Sequence, residues 1–271
     1  MHSTVSDGSL PVAELVALVH AEGVHAFALT DHDSVDGIPI AREHAARLGL
    51  TLIPGVELST RHENTELHIL GYGFDCEHPL LVEKLAQQKA ARHNRLPALV
   101  EKLNQLGLPI RIEDVYQVAG DANPGRPHVA RALVSRGLVR DMDEAFRRYL
   151  GDSAPANVRK IVPSPAEAIA WIHAAGGKAV WAHPLARPVQ RPGGFDELAR
   201  ELRAQGLDGL EEIHPAHDLG TRRRIRQVAR DLDLRLTGGS DFHGQATPGV
   251  TVGRGRGRDA VDAAVIEALL T

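Results

Sequence analysis

Six apolar segments of this chain run directly into a histidine or a carboxylate, and that recurrence limits the fold more than any other feature. The endings are ALTDHD at 31–33, GVELS at Glu57, ELH at His68, AHP at His183, EEIHP at His214 and GGSDFH at Asp241 and His243. Between most of them apolar residues recur at helical spacing, as in PVAELVALVHAEG, GIPIAREHAARLG, SPAEAIAWIHAAG, FDELARELRAQG and LGTRRRIRQVARDLD. Strands alternating with helices across short Gly or polar turns predict βαβ units and a parallel sheet, while the β-rich TELHILGYGF follows the polar RHEN turn as a strand would follow a hairpin-like connection. In a barrel of parallel strands the carboxyl ends converge on one mouth, where side chains serve chemistry rather than stability. Residues far apart in sequence are thereby expected to meet at a single rim.

The alternation stops between residues 79 and 155. There PLLVEKLAQQKAARHNRLPALVEKLNQLG, IRIEDVYQVAG, HVARALVSRG and DMDEAFRRYLG follow one another at helical spacing with no strand among them. The expected organisation is α/β, with 1–78 as the first part of a barrel, 79–155 as an inserted helical subdomain and 156–271 as the second part.

One histidine or acid at a strand end is more often a cap or turn group than a ligand. Six such sites on successive strands are different, because burying that many imidazoles and carboxylates without a cation leaves unpaired donors and charges. A polynuclear metal centre is the reading that satisfies them. Nitrogen and oxygen donors without thiolate suit manganese, iron or zinc. The chain has 15 His but one cysteine, Cys76, so no internal disulfide forms, and the CEHP context gives that thiol no activating partner. Net charge is -4, which argues against a partner as large and acidic as long nucleic acid but leaves room for a small anion held by local positive charge. No run approaches the ~18 apolar residues of a membrane span, and no basic leader with an apolar stretch opens the chain. A cytoplasmic protein is expected.

The set HSTVSDG, LTDHDSVDG, GVELS, LHILGY, AHP and GSDFH resembles the PHP family, named for its polymerase and histidinol phosphatase members, over almost the whole chain. With GRPHVARALVSRG inserted after LHILGY, it is similar to the branch that hydrolyses nucleoside 3',5'-bisphosphates and trims short RNA from the 5' end. The resemblance implies a distorted (βα)7 TIM-like barrel, the PHP fold, holding two or three divalent metal ions. It implies His2, Asp7, His32, Glu57, His68, His183, Asp241 and His243 as ligands, with Glu57 bridging and with Glu57, His183, Asp241 and His243 at the chemistry. Asp31 is expected to orient a ligating imidazole from behind. The family pattern begins Asp-Leu-His-x-His, and here Met1 stands at the x. Against that pattern the first strand, its Asp and its first His are expected either to lie a few residues upstream of this start or to be absent, leaving one metal position incomplete.

Such a cluster suits phosphate-ester hydrolysis with a metal-activated water as nucleophile. No Ser stands in a nucleophile elbow and no Cys beside a His, so a covalent route has no support. Further cations for substrate phosphate are sought at Arg126 and His128 in GRPH, Arg159 and Lys160 in VRKIV, and Arg187 in HPLAR. Arg126 opens a helix from a Gly/Pro turn, where anions are favoured. His214 and His217 lie at another strand end and could meet the leaving group or serve a turn. TRRRIR at 221–226 reads as a solvated helix face. Trp, Tyr and Phe total ten, too few for a stacking track along a long strand. The expected substrate is a small nucleotide or short oligoribonucleotide. Two other readings stay open: a histidinol-phosphate-type phosphatase, and a nucleotide-binding protein without turnover.

Overall fold

The computed structural model describes residues 1–63, 65–120, 122, 124–151, 153–159, 161–186, 193–244, 249–255, 261–262 and 264–270. Six strands form one sheet in sequence order: β1 (Ala26–Leu29), β2 (Thr51–His62), β3 (Thr65–Tyr72), β4 (Lys178–Trp181), β5 (Gly209–Ile213) and β6 (Arg235–Gly238). β1 pairs parallel with β2, and β4, β5 and β6 pair parallel in turn. β3 runs antiparallel to both its neighbours, so the sheet is mixed and the expectation of an all-parallel sheet is corrected. The cause is local. β2 ends at His62 and β3 begins at Thr65, paired with it, which leaves no length for a crossover helix, and so short a link can only give antiparallel pairing.

Side chains alternate across the sheet. Val56, Leu58, Leu67, Ile69, Ala179 and Trp181 point outward into the main core, against the helices α7 (Pro165–Ala174), α8 (Gly194–Ala204) and α9 (Leu219–Asp231). Their neighbours Ile53, Leu70, Tyr72, Val180 and Ala182 form a separate inner cluster. The period of two sorts apolar from polar function, and Glu57 and His68 fall on the inner set. Helices α1 (Val12–Ala21) and α2 (Ile38–Leu48) cover β1 through Leu15, Val16, Val19, Ile38 and Ala41. Capping follows the sequence cues: Ser164 accepts the Glu167 N–H ahead of Pro165, and Asp218 accepts the Thr221 N–H at α9.

Residues 79–150 hold the helices α3 (Pro79–Gln105), α4 (Ile112–Ala119), α5 (Arg126–Ser135) and α6 (Met142–Ala145), followed by a π-helical turn at Phe146–Leu150. α3 spans two cores: Leu81 and Leu85 join the main one, whereas Leu96, Leu99, Val100 and Leu103 pack with Val115, Val129 and Leu133 in a second. At the other side of the sheet, residues 1 and 2 bridge β1 to the segment after β6. Thr30 N–H donates to the Met1 carbonyl at 3.0 Å, and His2 N–H donates to the Phe242 carbonyl at 2.8 Å. An inner cavity of about 380 Å3 lies beside this bridge, lined by Phe27, Ile53, Tyr72, Glu211, Thr237 and Leu269 among others. A last helix, α10 (Ala264–Leu270), ends the described chain.

TRRRIR departs from a solvated face at Arg222, whereas Arg223 and Arg224 are exposed as expected. Arg222 is buried and its Nε donates to Glu212 Oε1 at 2.8 Å, with Arg226 on the same oxygen. Glu212 alternates outward from β5, and two guanidiniums neutralise it there. Among the described residues no helix is long and apolar enough to cross a membrane.

Ile69 is fully buried in β3 with its side chain in the main core. Ile69→Ala is expected to cost about 2–5 kcal/mol in urea unfolding, with the m-value unchanged.

Candidate metal centre

The site is built around one carboxylate. Glu57 sits in the middle of β2 rather than at its end, and hairpin register places His68 opposite Ser59. Because β3 runs backwards, His68 comes from its amino-terminal half and still reaches the same rim. Its Nδ1 lies 2.6 Å from Glu57 Oε1, and His183 Nε2 lies 3.1 Å from that oxygen. The other oxygen, Oε2, faces His2 Nε2 at 3.0 Å and His32 Nδ1 at 3.9 Å. Four imidazoles from four segments thus converge on a carboxyl that is 2% exposed.

Two further acids complete the cluster. Asp7 directs Oδ1 to His243 Nε2 at 3.3 Å and Oδ2 to His32 Nε2 at 3.9 Å. Asp241 places Oδ1 3.1 Å from His2 Nε2 and Oδ2 3.4 Å from His214 Nε2. The rings themselves form a chain, His2 stacked on His243 at 4.0 Å between centroids and His32, His68, His183 and His214 following at 4.6–5.4 Å. His183 and Asp241 hold φ at +32° and +46°, a left-handed backbone that side chains seldom adopt. Strain of this kind persists where surrounding structure fixes it, commonly at functional sites.

Three overlapping groups have donor atoms close enough to share a cation: His2, Asp7, His32 and His243; His32, Glu57 and His68; His2, Glu57 and Asp241. The protein also carries the mark of a missing partner. His2 Nδ1 and Nε2 and His32 Nδ1 are buried and satisfy no hydrogen-bond geometry. Buried polar atoms are nearly always paired, so nitrogens facing carboxylates without alignment fit divalent cations between them. Seven of the eight ligands implied by the resemblance fall in these groups, His183 reaches the cluster through Glu57, and the donor chemistry fits a divalent metal.

Electrostatics says the same. Burial works against charge on His2, yet the Asp241 and Glu57 carboxylates outweigh it and push its pKa up to about 10. His68 reaches about 10 through Glu57 and Glu66 against the same burial. Burial dominates at His32 and brings it down to about 4. Despite burial, the imidazoles hold Glu57, Asp7 and Asp241 well below the usual carboxylate range. Without cations, protons on His2 and His68 offset part of the charge of the three acids.

The loop that carries His2 and Asp7 is clamped by Asp31, which accepts Ser3 N–H and Ser3 Oγ at 2.8 Å and Ser6 Oγ at 2.6 Å. Asp31 therefore orients the loop and not an imidazole, correcting the sequence expectation. Its neighbour Asp33 accepts Ser59 N–H at 2.9 Å and Ser59 Oγ, and pairs with Arg92. Of the ligating imidazoles, His243 is oriented by backbone, its Nδ1 2.8 Å from the Asp241 carbonyl. Gly8 is required by close approach, since a Cβ there would stand 2.2 Å from the His2 carbonyl oxygen.

Besides the inner cavity, which Glu57, His183 and Asp241 also line, two further openings reach the cluster. One of about 280 Å3 is lined by Thr65, Leu67, Trp181, Pro184, Ala186 and His214, and one of about 210 Å3 by Ser59, Arg92, Arg95, Leu96, Pro124 and Phe146. His32, Glu66, His68 and Arg126 wall both. Arg126, at the start of α5, is held by Glu66 at 3.2 Å. His128 lies apart from these walls, buried in the first turn of α5, where its Nδ1 accepts the Gly125 N–H. Burial and Arg131 bring its pKa down to about 4, so it caps the helix as a neutral ring. His217 is fully buried, its Nδ1 2.8 Å from the Glu212 carbonyl. Lys160 and Arg187 lie outside the described residues, and Arg159 lines neither opening. Sequence reasoning did not single out Arg92, Arg95, Arg131 or Glu211. The first three belong to amphipathic helices in which any polar residue reads as solvated. Glu211, which accepts the His183 N–H at 2.7 Å, was legible only as the inward member of the Glu-Glu pair in EEIHP.

A mixed α/β sheet with histidines and acids gathered at one rim defines a metal-centre protein. Residues 1–110 match the PHP domain profile, and the chain belongs to that family. Among curated relatives, the 5'-3' exoribonuclease of Haemophilus influenzae is 38% identical over 97% of this chain and 94% of its own. The 3',5'-nucleoside bisphosphate phosphatase of Chromobacterium violaceum is 34% identical over 93% of this chain and 88% of its own. Among solved structures, a Bifidobacterium adolescentis protein proposed to be a metal-dependent phosphoesterase superposes with a TM-score of 0.89 at 32% identity, covering 99% of this chain and 93% of that one.

Two outcomes follow from the geometry. In chelator-treated protein, His2 and His68 have folded pKa values near 10 against 6.5 when unfolded, so their stabilisation is complete below pH 6.5 and is lost as pH rises toward 10. The melting temperature of that protein should fall across this window, and loading with manganese should reduce the fall. Gly8→Ala should displace the His2 carbonyl, cost about 1–3 kcal/mol by thermal unfolding and lower the metal content measured by elemental analysis.

Proposed function

We propose that this chain is a metal-dependent phosphoesterase that hydrolyses a phosphate monoester of a small nucleotide, such as a nucleoside 3',5'-bisphosphate or the 5' end of a short RNA. The observation that carries this is the meeting of four imidazoles on buried Glu57, with orphaned nitrogens on His2 and His32, beside openings walled by Arg126. His2, Asp7, His32, Glu57, His68, His183, Asp241 and His243 would hold two or three divalent ions, with manganese the first choice for this donor set. When bound, such ions lower the pKa of a water and offset charge on the phosphoryl oxygens.

The chain's own groups supply the rest. Arg126, directed by Glu66, would bind a phosphoryl oxygen in a bidentate manner from the wall shared by both openings. His214 Nδ1 accepts the Ala216 N–H at 3.1 Å, which leaves Nε2 to carry the proton. Asp241 overcomes the effect of burial and raises the His214 pKa, and the ring lines the larger opening. His214 is thereby placed to give that proton to the departing ester oxygen as the water oxygen bonds to phosphorus. Lys160 and Arg187 are retained as further phosphate contacts. Support for a nucleotide as substrate comes from the named relatives and from the modest size of the two openings. The finer architecture goes with this reading: a distorted (βα)7 barrel, residues 1–2 standing between β1 and the segment after β6, with 79–155 as an inserted cap. So does a cytoplasmic location.

Phosphate release in manganese from adenosine 3',5'-bisphosphate, adenosine 5'-monophosphate and histidinol phosphate tests the proposal. The bisphosphate should be the preferred substrate. Preference for histidinol phosphate, or tight nucleotide binding without release, would sink it. Glu57→Gln should lower kcat/KM about 100-fold or more, since even residues behind the ligands cost about 10–100-fold in such centres.

A further inference from the structure

We infer that Arg131, a helix residue 124 positions from Asp7, is a positioning residue for that acid, so that seating of the α3–α6 layer sets the affinity of the metal position bounded by His2, Asp7, His32 and His243. The inference rests on reading the cluster as a metal centre. Arg131 Nη2 donates to the Asp7 backbone carbonyl at 2.6 Å. The contact is to the carbonyl and not the carboxylate, which leaves both side-chain oxygens facing His32 and His243.

The rest of the loop explains why this bond matters. Ser3 and Ser6 are clamped by Asp31, and Ser6 and Gly8 N–H both donate to the Ser3 carbonyl. Gly8 N–H shares its peptide plane with the Asp7 carbonyl, so the bond to Ser3 holds one edge of that plane and leaves the carbonyl edge to another partner. Arg131 holds the carbonyl edge, so the plane is tied at both sides and the direction in which the carboxylate leaves the backbone is set. A charged donor makes the stronger kind of hydrogen bond, and half-burial of Arg131 shields it from water. The bond has company. Arg92 from α3 pairs with Asp33, next to His32, and Arg126 from α5 pairs with Glu66, whose Oε1 is 3.7 Å from His68 Nε2. The helical layer thus touches the rim by three arginines, each one or two residues from a ligand or on the ligand itself. Partners that orient ligands shift metal affinity by roughly 10–100-fold.

Manganese titration of the full chain, followed by calorimetry and by elemental counting, tests this with Arg131→Met, Arg131→Lys and, as a control, Leu133→Val, which thins the second core without touching the rim. Arg131→Met should weaken one manganese equivalent roughly 10–100-fold and leave the others. Arg131→Lys, which keeps a cationic donor, should recover most of the loss. Leu133→Val should lower the melting temperature and leave manganese affinity alone. Coupling is reciprocal, so manganese should also slow amide exchange across Arg126–Ser135 in the wild-type protein, a readout that needs no variant to fold. Wild-type affinity in Arg131→Met, an equal loss in Leu133→Val, or exchange in α5 indifferent to manganese would each overturn the inference and leave the metal centre standing. A wild-type chain that binds no manganese would overturn both.

Discussion

A buried carboxylate surrounded by imidazoles is the constraint on which the rest of this structure turns. Glu57 is 2% exposed, and its two oxygens face His2, His32, His68 and His183. An isolated ionised carboxyl at such a depth is prohibitively unfavourable, so everything near it supplies positive charge. In the free protein that charge is protonated imidazole, and the raised values at His2 and His68 record it. Divalent cations would do the same with fixed geometry, releasing those protons as they bind. The cluster is stable in neither state by packing alone, which ties folding, protonation and metal loading into one equilibrium.

That equilibrium is managed by the surroundings rather than by the ligands. Asp31 clamps the loop of His2 and Asp7, Asp33 clamps Ser59 on β2, and Glu211 holds the His183 peptide in its left-handed conformation. Each of these acids is itself buried, and each gives its oxygens to backbone or hydroxyl donors, with the Arg92 guanidinium added at Asp33. Outer groups of this kind define where the inner donors point. The helical layer enters the same scheme through arginines, so a segment with its own core still meets the sheet at the chemistry.

Much of this was legible in the sequence. Helical spacing in residues 11–21, 79–105 and 165–174 reflects packing that repeats every three or four residues, and the structure places helices there. The histidines and acids after apolar runs were legible because six such endings are hard to satisfy separately, and they do gather at one rim. The direction of β3 was not. A strand carries no mark of its polarity in its alternation, and only the RHEN turn hinted at a hairpin. Nor could sequence say that Asp31 serves two serines, that His128 caps its own helix or that Arg222 is buried against Glu212, because each depends on a partner fixed by tertiary contact. Arg131 shows this most clearly, since an arginine on an amphipathic helix reads as solvated unless the opposing carbonyl is known.

The reversed strand carries a consequence of its own. On β3 the odd residues Leu67 and Ile69 fill the main core while the even residues His68 and Leu70 face inward. A slip of one position in the hairpin would turn His68 outward and put that imidazole into the core at the place of Leu67 or Ile69. Loss of the donor and loss of the fold are therefore a single event at this hairpin, and misregistered chains are removed by their own instability before they can persist as folded but inactive protein.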